Sequence, residues 1–181
     1  MKIITILVTI ILIATILATI YVYLYNRLQD YKLKIDEAEN VIDECLRNKY
    51  DLILKIRESF KNNIKNNKIN FKGLDELKNK TMANYEMDHE LKNYSDLIDK
   101  VINDYPDIYK KADFRTLMNE YKSNDEKLTA SKKFYNSYIK ESNALVRKYP
   151  SKIVAKLNNI SIKNFFDGKD MNDDDIEDFR L

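Results

Sequence analysis

Residues 3–25 read IITILVTIILIATILATIYVYLY, a stretch with no charge, no glycine and no proline. As a helix rising about 1.5 Å per residue, it is just long enough for the roughly 30 Å hydrocarbon core of a bilayer. Fourteen of its 23 residues are Ile, Leu or Val, each favouring insertion by about 0.3–0.6 kcal/mol near the centre of a span. A helical Thr can return its hydroxyl to a carbonyl one turn back. Tyr21, Tyr23 and Tyr25 gather at one end, where an amphipathic ring suits the membrane–water interface. A cleaved signal peptide is the competing reading, but its apolar core usually runs about 7–15 residues before a small-x-small site. This run is longer and ends in tyrosines, so residues 1–25 are expected to be an uncleaved transmembrane anchor in contact with lipid.

Lys2 precedes the apolar run, whereas Arg27, Lys32 and Lys34 follow it closely. Basic residues are retained on the cytoplasmic side, which predicts an outside N-terminus and a cytoplasmic C-terminal domain at the cell membrane. The single cysteine, Cys45, forms no intrachain disulfide and so marks no oxidising compartment. Ala14 and Ala18, with Thr15 and Thr19, make small-xxx-small pairs. They are a candidate face for packing two anchors together, although small residues are common in any span.

Beyond the anchor the chain contains few turn formers: two Gly and two Pro in 181 residues, against usual frequencies of about 7% and 5%. Such a chain makes few turns, and its long elements must be helices. Leu28, Tyr31, Ile35, Ala38, Ile42, Cys45, Ile53, Ile56 and Phe60 recur at three- and four-residue steps, the signature of one buried helical stripe. From Phe114 to Tyr149 a seven-residue repeat places Phe114, Tyr121, Leu128, Tyr135, Ser142 and Tyr149 on one track. Leu117, Asn124, Ser131, Tyr138 and Leu145 fall on the other, as in coiled-coil packing. Leu128, at the middle, is expected to face the core.

The segment between Gly73 and Pro106 is more polar and reads as two shorter helices, with Ser95 capping the second. Ser151 can cap a short helix through Leu157, after which Ile160, Ile162, Phe165 and Phe166 close the core. The expected fold is all-α: a single N-terminal transmembrane helix continuing into an elongated antiparallel helical bundle over 26–166. Residues 167–181 hold seven acidic side chains against Lys169 and Arg180, an acidic tail expected to be disordered.

Two groups of residues match a known pattern. Tyr25-Asn26 is followed by Leu28, Ile35, Ala38, Ile42 and Leu46, then by Lys49-Tyr50-Asp51-Leu52-Ile53. Later, Tyr105-Pro106-Asp107 leads to Phe114, Leu117, Asp125, Leu128, Lys132, Tyr135-Asn136, Asn143, Tyr149-Pro150-Ser151 and Ala155. In these stretches the chain resembles the LemA family of bacterial membrane-anchored helical proteins, over most of residues 20–166 and least from 62 to 104. It departs from that pattern at Leu54, where the family commonly has Pro, at Tyr109-Lys110-Lys111, and at Asp125 and Lys132, which stand for Glu and Arg. The resemblance implies a single N-terminal span, a largely cytoplasmic helical domain and no established enzymatic activity.

The residues offer little chemistry of their own. His89 is the only histidine, and a metal site needs two or three further ligands at matched spacing. Cys45 lies on the apolar stripe without a base nearby in sequence, so it reads as a small buried hydrophobe. Asp170–Asp175 has Asp where a calcium loop needs its sixth-position Gly, and the closing Glu is missing. Gly73 and Gly168 are isolated, so no phosphate-binding loop exists. Lys61, Lys65, Lys68 and Lys72 read as a solvated face. No catalytic, cofactor-binding or metal residue is assigned, and an enzyme is not expected. A net charge of +2 implies no nucleic-acid partner, and no small-molecule substrate is indicated.

Asn26, Asp125, Lys132, Tyr135, Asn136 and Asn143 remain as candidate helix-register or interaction positions. Asn136 and Asn143, one heptad apart, are expected to bond the facing helix and fix its register, unless both are simply exposed. Asp125 and Lys132 are seven apart and cannot pair on one helix, so each should meet another helix or water. The expected function is a membrane-anchored scaffold or assembly protein acting through protein–protein contacts, with itself or with partners. The alternative is a transmembrane signalling or regulatory module relaying through the juxtamembrane helix.

Overall fold

The computed structural model describes residues 2–64, 69–78, 80 and 82–167. Among these the secondary structure is helical: α1 (Lys2–Asn63), α2 (Leu74–Leu77), α3 (Asn84–Asp104), α4 (Ala112–Arg147) and α5 (Ser151–Leu157), with a 3-10 turn at Pro106–Lys110. The 62 residues of α1 contain no Gly or Pro, so nothing interrupts its backbone bonds. Its threonines satisfy themselves: Thr9, Thr15 and Thr19 donate to the carbonyls of Thr5, Ile11 and Thr15 at 2.8–2.9 Å. Gly73 precedes α2 with φ of 86°, a left-handed conformation open to glycine and strained for other residues.

The chain forms two compact units, one from Met1–Glu37 with Phe134–Leu181, the other Ala38–Lys133. Both unit boundaries fall inside long helices. In the first unit Leu28, Val154 and Ala155 form a buried cluster, with Leu24, Tyr25, Leu145, Val146 and Ile160 against it. Two terminal devices hold this cluster. Ser151 does not cap α5; its hydroxyl donates to the carbonyls of Leu145 and Lys148 at 2.6 and 2.8 Å, satisfying groups that the end of α4 leaves open. At the far end of α5, Asn159 has φ of 53°. The amides of Asn159 and Ile160 bond to the carbonyls of Lys156 and Ala155, a Schellman closure whose apolar contact is Ile160 on the Ala155 side.

In the second unit the stripe of α1 is buried at Ala38, Ile42, Cys45, Leu46, Ile53, Ile56 and Phe60. Leu74 and Leu77 of α2, Leu91, Ile98 and Val101 of α3, and Phe114, Met118, Tyr121 and Leu128 of α4 are buried with it. Leu128 is fully buried, as its place on the repeat requires. The expected cap at Ser95 is not formed. Helix α3 runs through Ser95 unbroken, and the Ser95 hydroxyl donates to the Leu91 carbonyl at 3.0 Å. A mid-helix serine can satisfy itself in this way without ending the helix. Helix α3 instead starts with the Ala83 amide donating to the Glu86 carboxylate at 3.3 Å.

The second track of α4 also differs from the expected seam. Met118 and Ile139 are buried, whereas Leu117 and Tyr138 are only half-buried. Ser131, on the track as read, is buried, and Asn124 is half-buried, as are Asp125 and Lys132 one position later; the inward side of α4 therefore draws on both tracks. Tyr149 is exposed, because α4 ends at Arg147.

Candidate functional site

Two features stand out from the apolar packing: the bare first third of α1, and a set of polar side chains on α4. Helix α1 is exposed from Lys2 to Tyr23; partial burial begins at Leu24 and full burial at Leu28. The exposed part is long and apolar enough to cross a membrane by length and composition, and none of its most apolar window is buried. Ala14 and Ala18 lie open on this surface. Tyr21 and Tyr25 stack at a centroid distance of 6.4 Å and an interplanar angle of 6°. Asn26, one residue further on, is exposed.

In the second unit the polar residues form ties between helices. Lys49 of α1 donates to Asp125 of α4 at 2.6 Å, with the Lys49 side chain 7% exposed and the Asp125 side chain 46% exposed. The ammonium also lies 5.9 Å from the centre of the Tyr121 ring. Lys132 of α4 donates to Asp88 of α3 at 2.8 Å. Asp125 and Lys132 thus each meet a different helix. Asn124 donates to the Cys45 carbonyl at 2.9 Å, the contact with the facing helix that had been expected of Asn136 and Asn143. Both ion pairs line an open groove of about 550 Å³, with Ser95 and Tyr121 at its wall. Each pair joins α4 to another helix, Lys49–Asp125 to α1 and Lys132–Asp88 to α3.

Tyr121 donates its hydroxyl to Ser95 Oγ at 2.6 Å. Burial is the main reason that its phenol is pushed up to about 12 from the usual 10, with the Ser95 bond opposing. The folded state therefore holds this proton longer than the unfolded chain does. Its contribution is fully present below pH 10 and is lost as pH rises from 10 towards 12, by up to about 2 kcal/mol. Tyr121→Phe removes this dependence. At pH 7 it should cost about 1 kcal/mol for the lost hydrogen bond, and urea midpoints measured from pH 8 to 11 should converge with the wild type's.

In the first unit Tyr135, Asn136 and Asn143 converge on the segment after α5, not on a facing helix. Asn143, 1% exposed, donates to the Lys163 carbonyl at 2.7 Å and accepts the Lys163 amide at 3.0 Å. The Asn136 side-chain oxygen, Oδ1, accepts the Phe166 amide at 2.8 Å. The Phe166 ring meets Tyr135 edge-on at 6.3 Å. Two amides one heptad apart therefore supply the hydrogen bonds that this non-helical return would otherwise lack. Lys163 also pairs with Asp36 at 3.6 Å.

The remaining candidates lie apart from both sets. Cys45 is buried, and burial pushes its thiol up, away from the thiolate that a nucleophile needs. His89 is exposed, and no group of three or more His, Cys, Asp or Glu suited to a metal occurs among the described residues. Lys65, Lys68 and the acidic tail beyond Asp167 lie outside the described residues. Lys49, Asp88, Ser95 and Asn124 were not singled out as site residues from the sequence. Asn124 carried a signal, being polar on a seam position; the others gave none.

No curated protein matches the chain. A family model does: the LemA family model matches residues 38–177. That range takes in α2 to α5 and α1 from Ala38 onward, together with the ties made by Lys49, Asn124, Asp125, Lys132, Asn136 and Asn143. The chain belongs to the LemA family.

Proposed function

We propose that this protein is a single-pass membrane-anchored scaffold or assembly protein. Residues 3–25 cross the bilayer, and an antiparallel helical bundle stands at its cytoplasmic face. One observation carries the reading: α1 is bare to Tyr23 and joins a packed core from Leu24 onward with no break in the helix. The bare length, 22 residues at about 1.5 Å each, matches a bilayer core and little more. Contacts within the second unit support the antiparallel course. Glu44 meets Lys127, Lys49 meets Asp125, and Phe60 meets Phe114, so numbers rise on α1 as they fall on α4. Arg27, Lys32 and Lys34 against Lys2 support the cytoplasmic side.

On this reading the open Ala14/Ala18 face brings anchors together and the bundle surfaces gather partners. Cross-linking of the full chain in intact membranes should give dimers and higher species under all conditions, and Ala14→Leu with Ala18→Leu should reduce them. A monomer band alone would remove self-assembly from the proposal. A signalling relay is the second reading, favoured by the continuity of α1 from its bare part into the core. It would show as cross-links that change with an applied stimulus.

A further inference from the structure

Helix α5 occupies a particular position in the first unit. Val154 and Ala155 pack with Leu28, against Leu24 and Tyr25, and Asn158 donates to the Tyr21 hydroxyl at 3.0 Å. The helix therefore lies beside the last turn of the apolar stretch. Its inward face is Ser151, Val154 and Ala155; Ile153 and Leu157, on the opposite side, are 53% and 68% exposed. These two are four residues apart and share one face. Lys152 and Lys156, also four apart, flank them, and both are exposed.

Charge is distributed unevenly around this helix. From Ser142 to Phe166 there are five basic residues, Arg147, Lys148, Lys152, Lys156 and Lys163, and no acidic one. The whole chain, by contrast, balances 31 basic against 29 acidic residues. Only Lys163 of these five is seen with a carboxylate, Asp36. An exposed apolar pair bordered by uncompensated cations, held at the level where an apolar span ends, is the composition of an interfacial helix on an anionic bilayer.

We infer that α5 is a second membrane contact: Ile153 and Leu157 enter the headgroup–acyl boundary, while Arg147, Lys148, Lys152 and Lys156 meet the phosphates of anionic lipids. This rests on the reading of residues 3–25 as a span, which brings α5 to the bilayer surface. The contact fixes the tilt and rotation of the first unit at the membrane, which one helix alone leaves free. Long lysine and arginine stems let the charges reach headgroups while the apolar face sinks.

The test uses the full chain in vesicles, with a nitroxide on a single cysteine in a Cys45→Ala background. Leu157→Cys reports the inferred contact, Ile11→Cys the span, and Ser123→Cys, exposed on α4, a water reference. In phosphatidylcholine vesicles holding about 30% phosphatidylglycerol, a water-soluble relaxant should reach position 157 roughly tenfold less than position 123. Neutral vesicles, or Lys152→Gln with Lys156→Gln, should return most of that access. Position 157 as open to the relaxant as position 123, with position 11 shielded, overturns the second contact and leaves the span intact. Position 11 open to the relaxant overturns both. Shielding at 157 that persists in neutral vesicles, or that comes with spin–spin broadening between copies, assigns the face to a protein partner and overturns the lipid assignment.

Discussion

Replacing Ile10, Ile11 and Leu12 together by arginine should move the protein from the membrane pellet to the supernatant after alkaline extraction. Each arginine near the centre of a span disfavours insertion by about 2.5–3.5 kcal/mol, so three contribute roughly 8–10 kcal/mol. The fourteen Ile, Leu and Val residues of the stretch supply about 4–8 kcal/mol in the other direction. The balance therefore changes sign. Snorkelling offers no escape, because these positions stand midway along the bare segment, far from either end. The same triple change should leave the packed units intact, since Ile10, Ile11 and Leu12 are exposed and lie well before the first packed residue, Leu24. Urea unfolding followed by the helical circular dichroism signal should match that of the wild type. A variant that stays in the pellet would show that something other than residues 3–25 holds this protein to the membrane.

The long elements were legible because helix periodicity and the scarcity of Gly and Pro act locally, residue by residue. The stripe on α1 needs only three- and four-residue spacing, and from Leu28 to Phe60 it is buried as read except at Tyr31, which is half-buried. The polar sites were legible only by half. Spacing shows that Asn136 and Asn143 share a face, but not which element arrives at that face. The arriving element is a non-helical return, Lys163 to Phe166, which has no periodicity to announce it. Asp125 and Lys132 could be excluded from pairing with each other, yet Lys49 and Asp88 lie 76 and 44 positions away, beyond any local signal. The two compact units were not legible either. Their boundaries, at residues 37–38 and 133–134, fall within continuous helices, where composition does not change.

Phe60→Ala should cost about 3–5 kcal/mol, the usual range for removing a buried phenylalanine. Phe60 is 1% exposed, and its ring centre lies 6.3 Å from Phe71 and 5.7 Å from Phe114. Phe71 stacks on Tyr94 at 6.2 Å, and Phe114 meets Tyr109 edge-on at 5.4 Å. One side chain of α1 thus touches rings that lead to α3 and to the start of α4. Such ring pairs add about 0.5–1.5 kcal/mol beyond the area they bury. The site is also poorly able to collapse after truncation. Helix α2 has four residues and too few backbone bonds to stand alone; it depends on Phe71, Leu74 and Leu77 reaching the core, with Tyr94 donating to the Lys72 carbonyl at 2.9 Å. Removing the Phe60 ring should therefore loosen residues 71–77 first. Amide hydrogen exchange there should quicken in Phe60→Ala under conditions where α4 amides near Leu128 remain protected. Phe60→Leu, which keeps most of the volume, should lose less than half as much stability. A fall of under about 1 kcal/mol for Phe60→Ala would mean that these rings do not share a core.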